Sequence, residues 1–204
     1  MNRNVYRASA LAAGVVGYSF TAGLEVPGRR HPMVQGVLGT ALAVAVRAPL
    51  GLRPPAVWSG LRLGAAAAAA VAAAVAATTA IPRVRAAMND RDLPANAWQW
   101  LAFEIPVGTV WSEEMAFRAA LGTLAAAAFG PGGGRLLQAA AFGLSHVHDA
   151  KVTAEPVVGT VLVTGLAGWV FGWLAERSGS MVAPVLAHLA INEAGAVAAL
   201  LVRR

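Results

Sequence analysis

The sequence predicts an all-α, multi-pass integral membrane helical bundle, and three observations predict it. Of its 204 residues 57% are hydrophobic and 13% charged, with a mean hydropathy of +0.59. That balance lies outside the range of a soluble domain. Apolar runs reach the roughly 20 residues needed to cross a hydrocarbon core, among them residues 61 to 81 with their block of alanines. Proline, glycine and charge punctuate the chain into about seven hydrophobic segments, near residues 5 to 25, 33 to 52, 58 to 81, 97 to 129, 134 to 147, 157 to 176 and 181 to 202.

In the first segment Arg3 and Arg7 precede the apolar run and no small-residue cleavage site follows, so it reads as a first membrane helix and not a signal peptide. The first three segments carry one acidic residue, Glu25, at a segment end. Their apolar faces need only lipid and one another, and their alanines suit close helix packing in lipid. The longest polar connection, around residues 82 to 96, divides the chain into N-terminal membrane helices without motifs (1–96) and a second half (97–204) in which polar residues enter the spans. Residues 97 to 129 are too many for one straight crossing at about 1.5 Å per residue. Pro106 and Gly108 offer a place to kink, and an interfacial piece followed by a span is expected.

Sixteen Lys and Arg against ten Asp and Glu give a net charge of +6, with the cations placed singly or in pairs at the ends of apolar runs. That placement suits a lipid bilayer and its phosphate headgroups and argues against nucleic acid as a partner. The chain has no cysteine, which excludes disulfides, thiolate zinc sites and a cysteine nucleophile.

Ionisable groups inside a span cost roughly 2.5–3.5 kcal/mol each on insertion scales and are functional candidates by default. They form three clusters. In SEEMAFRAAL, Glu114 and Arg118 are four apart on one helical face and neutralise each other. Glu113, about 100° around the helix, is then left as a carboxylate without an intrahelical cation, available as a general base. In AFGLSHVHDA, Phe142 and His146 are one turn apart, and a neutral imidazole there can orient water or bind a metal. In RSGSMVAPVLAHLAINEAG, Pro184 opens a helix on which His188 and Asn192 share a face, both able to hydrogen-bond a developing oxyanion. Taken singly, each cluster has a bland reading as well: a structural ion pair, a core histidine, an interhelical asparagine. His148, Asp149 and Lys151 read as a solvated loop and Glu104 as interfacial. Glu193 reads as a neighbour of the site, and Trp98, Trp100, Trp111, Trp169 and Trp173 as interface anchors.

The order Glu-Glu-x-x-x-Arg, Phe-x-x-x-His, His-x-x-x-Asn resembles the three-motif pattern of the CPBP family of CAAX proteases and bacteriocin-processing enzymes, also called the Abi family. The resemblance covers residues 97 to 197 and includes the approach GWLAERSGSMVAPVLAHLAIN. It implies an intramembrane endopeptidase of the glutamate type in the cell membrane, acting without a cofactor on a membrane-associated protein or peptide. By that resemblance Glu113 and His146 hold and deprotonate a water, His188 and Asn192 stabilise the oxyanion, and Glu114 with Arg118 fixes the helix carrying the base, with Phe142 in support. Two other functional classes use the same residues: a catalytically silent scaffold or immunity protein of the same fold, and a proton relay or transporter. A different chemistry, zinc held by Glu113, His146 and His188, is the metal alternative, although the His-Glu-x-x-His spacing is absent.

Overall fold

A computed structural model describes residues 2–24 and 26–203, so Glu25 lies outside the described residues. All regular structure among them is helical. Helix α1 (Arg3–Phe20) starts where the Asn2 side chain accepts the Asn4 N–H, and α2 (Pro32–Ala45) where the His31 ring accepts the Met33 N–H with proline in the first turn. These side chains satisfy amide groups that a helix start leaves open. After α3 (Ala56–Thr79) come the short α4 (Pro82–Asn89) and α5 (Ala97–Gln99). The chain then winds as two π-helical stretches, Trp100–Trp111 and Glu114–Leu121, before α6 (Gly122–Ser145), α7 (Val147–Val152), α8 (Val157–Ser178) and α9 (Val182–Val202).

Three helices, α3, α8 and α9, are long and apolar enough to cross a membrane by length and composition. The other segments of the seven expected fall short among the described residues, for two reasons. Helix α2 has only 14 residues and α1 carries Arg3, Asn4 and Arg7 within its 18. The segments at 97 to 129 and 134 to 147 are two arms of one continuous structure. The chain does not break at Pro106: the helix runs through it in wide π-turns, a geometry that accommodates an interior proline. The chain breaks instead at Gly130, whose φ of 74° is open to glycine at little cost. Pro131 starts the returning arm, which packs so closely that a Cβ on Gly134 would lie 2.5 Å from the Ala126 nitrogen.

The helices on either side of residue 97 pack together. Helix α3 lies parallel to α9, with Gly60 against Ser180 and Gly64 against Ala183. Helix α1 lies along α6, and α2 along both π-helical stretches. Helix α8 runs antiparallel to the second arm of α6, where Gly143 meets Val161 and Gly172 meets Gln138. Small residues let these backbones approach in lipid, where dispersion replaces the hydrophobic drive. The loop after α2 is pinned to the start of α9 by the Met181 N–H, which donates to the Leu50 carbonyl at 2.9 Å. Helix α1 packs mainly on α6 and α2 on the two π-helical stretches, and α1 and α2 barely touch each other.

Candidate active site

The π-helical stretches flank one α-helical turn at Ser112 and Glu113. Wide turns of this kind are frequent at functional sites. Helix α2 presses directly on that turn: a Cβ on Gly39 would stand 2.5 Å from the Ser112 carbonyl oxygen. Only glycine permits this approach, so the backbone beneath Glu113 is set by a residue 74 positions earlier in the chain.

Glu114 points inward and is fully buried, with its Oε1 3.3 Å from Nη1 of the equally buried Arg118. This is the pair that the spacing of four predicts. The same Oε1 accepts a hydrogen bond from His188 Nδ1 at 2.8 Å. A carboxylate fully removed from water needs such partners, because unpaired burial is costly. The bond fixes the imidazole with its proton on Nδ1 and turns Nε2 toward Glu113, whose Oε2 is 3.7 Å away. Glu113 is partly open, with 28% of its side chain accessible, although its Oε2, the oxygen nearest His188, is buried and has no hydrogen-bond partner among the described residues.

Two aromatic rings hold the charged groups in place. The Arg118 guanidinium lies 3.9 Å from the centre of the Phe142 ring and 4.9 Å from that of Phe171, contacts that strengthen when desolvated. Phe171 stacks on His188 at 4.9 Å, and Phe142 sets its edge against both His146 (4.7 Å) and His188 (5.9 Å). One ring therefore touches a residue from each of the three motifs. His146 Nδ1 lies 2.7 Å from the Phe142 carbonyl. A carbonyl only accepts, so the proton sits on Nδ1 and the Nε2 lone pair is free to accept.

A cavity of about 860 Å³ opens between α1 and α2, with Ser112, Glu113, Phe117, Ser145 and His146 in its wall. The structure thus brings Glu113, Glu114, Arg118, Phe142 and His188 into one network and puts Glu113 and His146 on one cavity. His188 and Asn192 do not line it. Asn192 gives one amide N–H to the His188 carbonyl at 3.1 Å, which ties it to the helix one turn back. Glu193 keeps one buried oxygen without a partner among the described residues, and Asp149 reaches the cavity from the far side of the second motif.

The zinc alternative does not fit. Among the described residues no three His, Asp or Glu side chains are placed to hold a metal ion.

Sequence reasoning missed Phe171, Gly39 and the Glu114–His188 bond. Phe171 lies in GWVFGW, where nothing in its local spacing distinguishes it from a lipid-facing aromatic. The bond joins residues 74 apart, and its only local signal was a second carboxylate beside the candidate base.

Neither a curated protein nor a solved structure matches the chain. Residues 94–194 match the family described as type II CAAX prenyl endopeptidase, Rce1-like. The matched stretch begins just before α5 and ends within α9, and it contains all three motifs and every residue of the network described above. The chain thus carries an Rce1-like type II CAAX prenyl endopeptidase domain over residues 94–194.

Proposed function

We propose that the protein is an intramembrane endopeptidase that hydrolyses a peptide bond of a membrane-associated protein or peptide. One observation carries the reading: the Glu113 carboxylate, with 28% of its side chain accessible, stands on the same cavity wall as His146 and has its buried Oε2 3.7 Å from His188. A general base needs a free acceptor within reach of the proton it removes.

In this mechanism a water held by Glu113 and by the free Nε2 of His146 loses a proton to Glu113, and its oxygen attacks the substrate carbonyl carbon. The carbonyl electrons move to oxygen. His188 gives Nδ1–H to Glu114, an imidazolium there would also offer Nε2–H to the oxyanion, and the second amide N–H of Asn192 supports it. Collapse of the tetrahedral intermediate breaks the C–N bond, and the proton on Glu113 passes to the departing amine. Glu114 and Arg118 do not touch the reacting atoms. They hold His188 in orientation, and their opposite charges offset each other inside the bundle.

The test is incubation of the purified, detergent-solubilised protein with membrane-derived polypeptides, with new termini mapped by mass spectrometry. Wild type is expected to create termini that Glu113→Gln does not, since removing a general base slows a reaction by about 10²- to 10⁴-fold. Equal cleavage by Glu113→Gln would remove Glu113 from the role of base.

A further inference from the structure

The fold sorts the charges of the chain between its two ends. One end is built from the start of α1, the loop after α2, the start of α3, the hairpin tip of α6 and the turn from α8 to α9. The Asn4 side chain donates to the Ala127 carbonyl at 3.4 Å, Arg135 pairs with Glu176 at 2.9 Å, and Gly51 of the loop and Gly60 of α3 lie against Gly179 and Ser180, so these pieces meet. Arg3, Arg7, Arg47, Arg53, Arg62 and Arg177 are all exposed there. Glu176 is the one described carboxylate at this end, and Arg135 already neutralises it. No described carboxylate lies within ion-pair distance of any of the six exposed arginines. The opposite end is mixed: the connection after α3 sets its arginines beside Asp90 and Asp92, Arg91 pairs with Glu155 at 2.9 Å, and Lys151 stands two residues from Asp149.

Aromatic side chains mark the depth of the six arginines. Tyr6, Trp58 and Trp173 are exposed within two turns of the helix ends at this side of the bundle, and tyrosine and tryptophan are enriched at the level of the lipid headgroups. Trp58 and Arg62 are four apart on α3, so one face of that helix presents an indole and a guanidinium together. Arg62 stands about 9 Å in from the start of α3 at 1.5 Å per residue, and its aliphatic stem can lie along the apolar surface while the charge reaches the headgroups.

Uncompensated guanidinium groups at headgroup depth match the phosphate of a lipid, which they bind through paired N–H donors. A zwitterionic headgroup brings its own cation beside that phosphate, and an anionic one does not. We infer that this end of the bundle is a docking surface for anionic phospholipid headgroups, which it binds in preference to zwitterionic ones. Each arginine near the bilayer surface favours the anionic lipid by about five-fold. The preference belongs to one end of the molecule and does not depend on the chemistry at Glu113.

The test uses the full-length protein reconstituted in phosphatidylcholine bilayers that contain brominated phosphatidylglycerol or, in a parallel series, brominated phosphatidylcholine. Bromine quenches an indole that it touches, and the difference between wild type and Trp58→Phe isolates the signal of Trp58. Quenching is expected to give a preference for phosphatidylglycerol of about five-fold or more at low salt, falling toward equality in about 1 M salt, where charges are screened within about 3 Å. Arg62→Gln alone lowers the preference, and Arg53→Gln with Arg62→Gln brings it close to one. Both side chains are exposed, so the variants keep the unfolding midpoint of wild type. Arg83→Gln with Arg85→Gln, at the mixed end, leaves the preference unchanged. Equal quenching by the two lipids, a preference that survives loss of Arg53 and Arg62, or one lost equally in the variant of the mixed end overturns the inference. A preference abolished by inorganic phosphate at constant ionic strength would assign these arginines to a soluble anion and overturn it as well.

Discussion

Replacing Glu114 by Gln is the sharpest perturbation of the buried network, because it removes one charge and almost no volume. In the native protein Glu114 and Arg118 are both fully buried, and one carboxylate oxygen serves both Arg118 and His188. The amide leaves the Arg118 charge buried without its counter-ion. Removing one partner of a buried pair costs about 3–5 kcal/mol. At about 2–4 °C per kcal/mol for a chain of this size, the unfolding midpoint falls by roughly 6–20 °C. The weakened bond to His188 ends on the same oxygen and does not add independently. Arg118→Met alone leaves the Glu114 carboxylate unpaired in the same way. The double variant Glu114→Gln with Arg118→Met has no orphaned charge and unfolds at a higher temperature than Glu114→Gln alone, although it forgoes the contacts of Arg118 with Phe142 and Phe171. The six tryptophans supply an intrinsic fluorescence signal for thermal unfolding in detergent. A double variant no more stable than Glu114→Gln, or a single variant as stable as wild type, would refute the charge-pairing account.

Other expectations follow from the same geometry. His146→Ala lowers cleavage by about 10²-fold or more while leaving the unfolding midpoint within a few degrees, since His146 is on the cavity wall; a collapse of stability with unchanged cleavage by the folded fraction would contradict its place beside the water. Gly39→Leu forces α2 off the Ser112 carbonyl and lowers both stability and cleavage, whereas Gly14→Ala, with no atom within 4 Å of its added Cβ, leaves both near wild type; equal effects would show that the close approach is unimportant. Cleavage persists after exhaustive chelation and dialysis, measured by the yield of new termini; loss on chelation with recovery on added zinc would reinstate a metal.

What could be read from the sequence was what depends on neighbours along one helix. Glu114 and Arg118 are four apart and form the pair their spacing implies, and Asn192 meets the carbonyl of His188 on the face they share. Helical class follows from composition alone. The number of spans did not follow, because hydropathy segments the chain wherever glycine and proline intervene. GPGGGR proved to be a hairpin tip at Gly130, while Pro106 interrupts nothing. The carboxylate partner of His188 was equally hidden, since Glu113 and Glu114 are neighbours in sequence and only the packing of α9 against the first motif decides which one faces Nδ1.

The position of Phe142 bears on how such a protein can change over generations. A substitution there disturbs the arginine of the first motif, the imidazole of the second and the imidazole of the third at once, so no single second-site change restores all three. Most of the cavity's apolar wall, by contrast, comes from α1 and α2, helices that barely touch each other and lie outside the matched domain. Drift in Leu11, Val15, Leu38 or Leu42 reshapes the chamber without repacking the aromatic hub. The three motifs are held on one piece of the chain and the shape of the chamber largely on another, so a change in the second need not disturb the first.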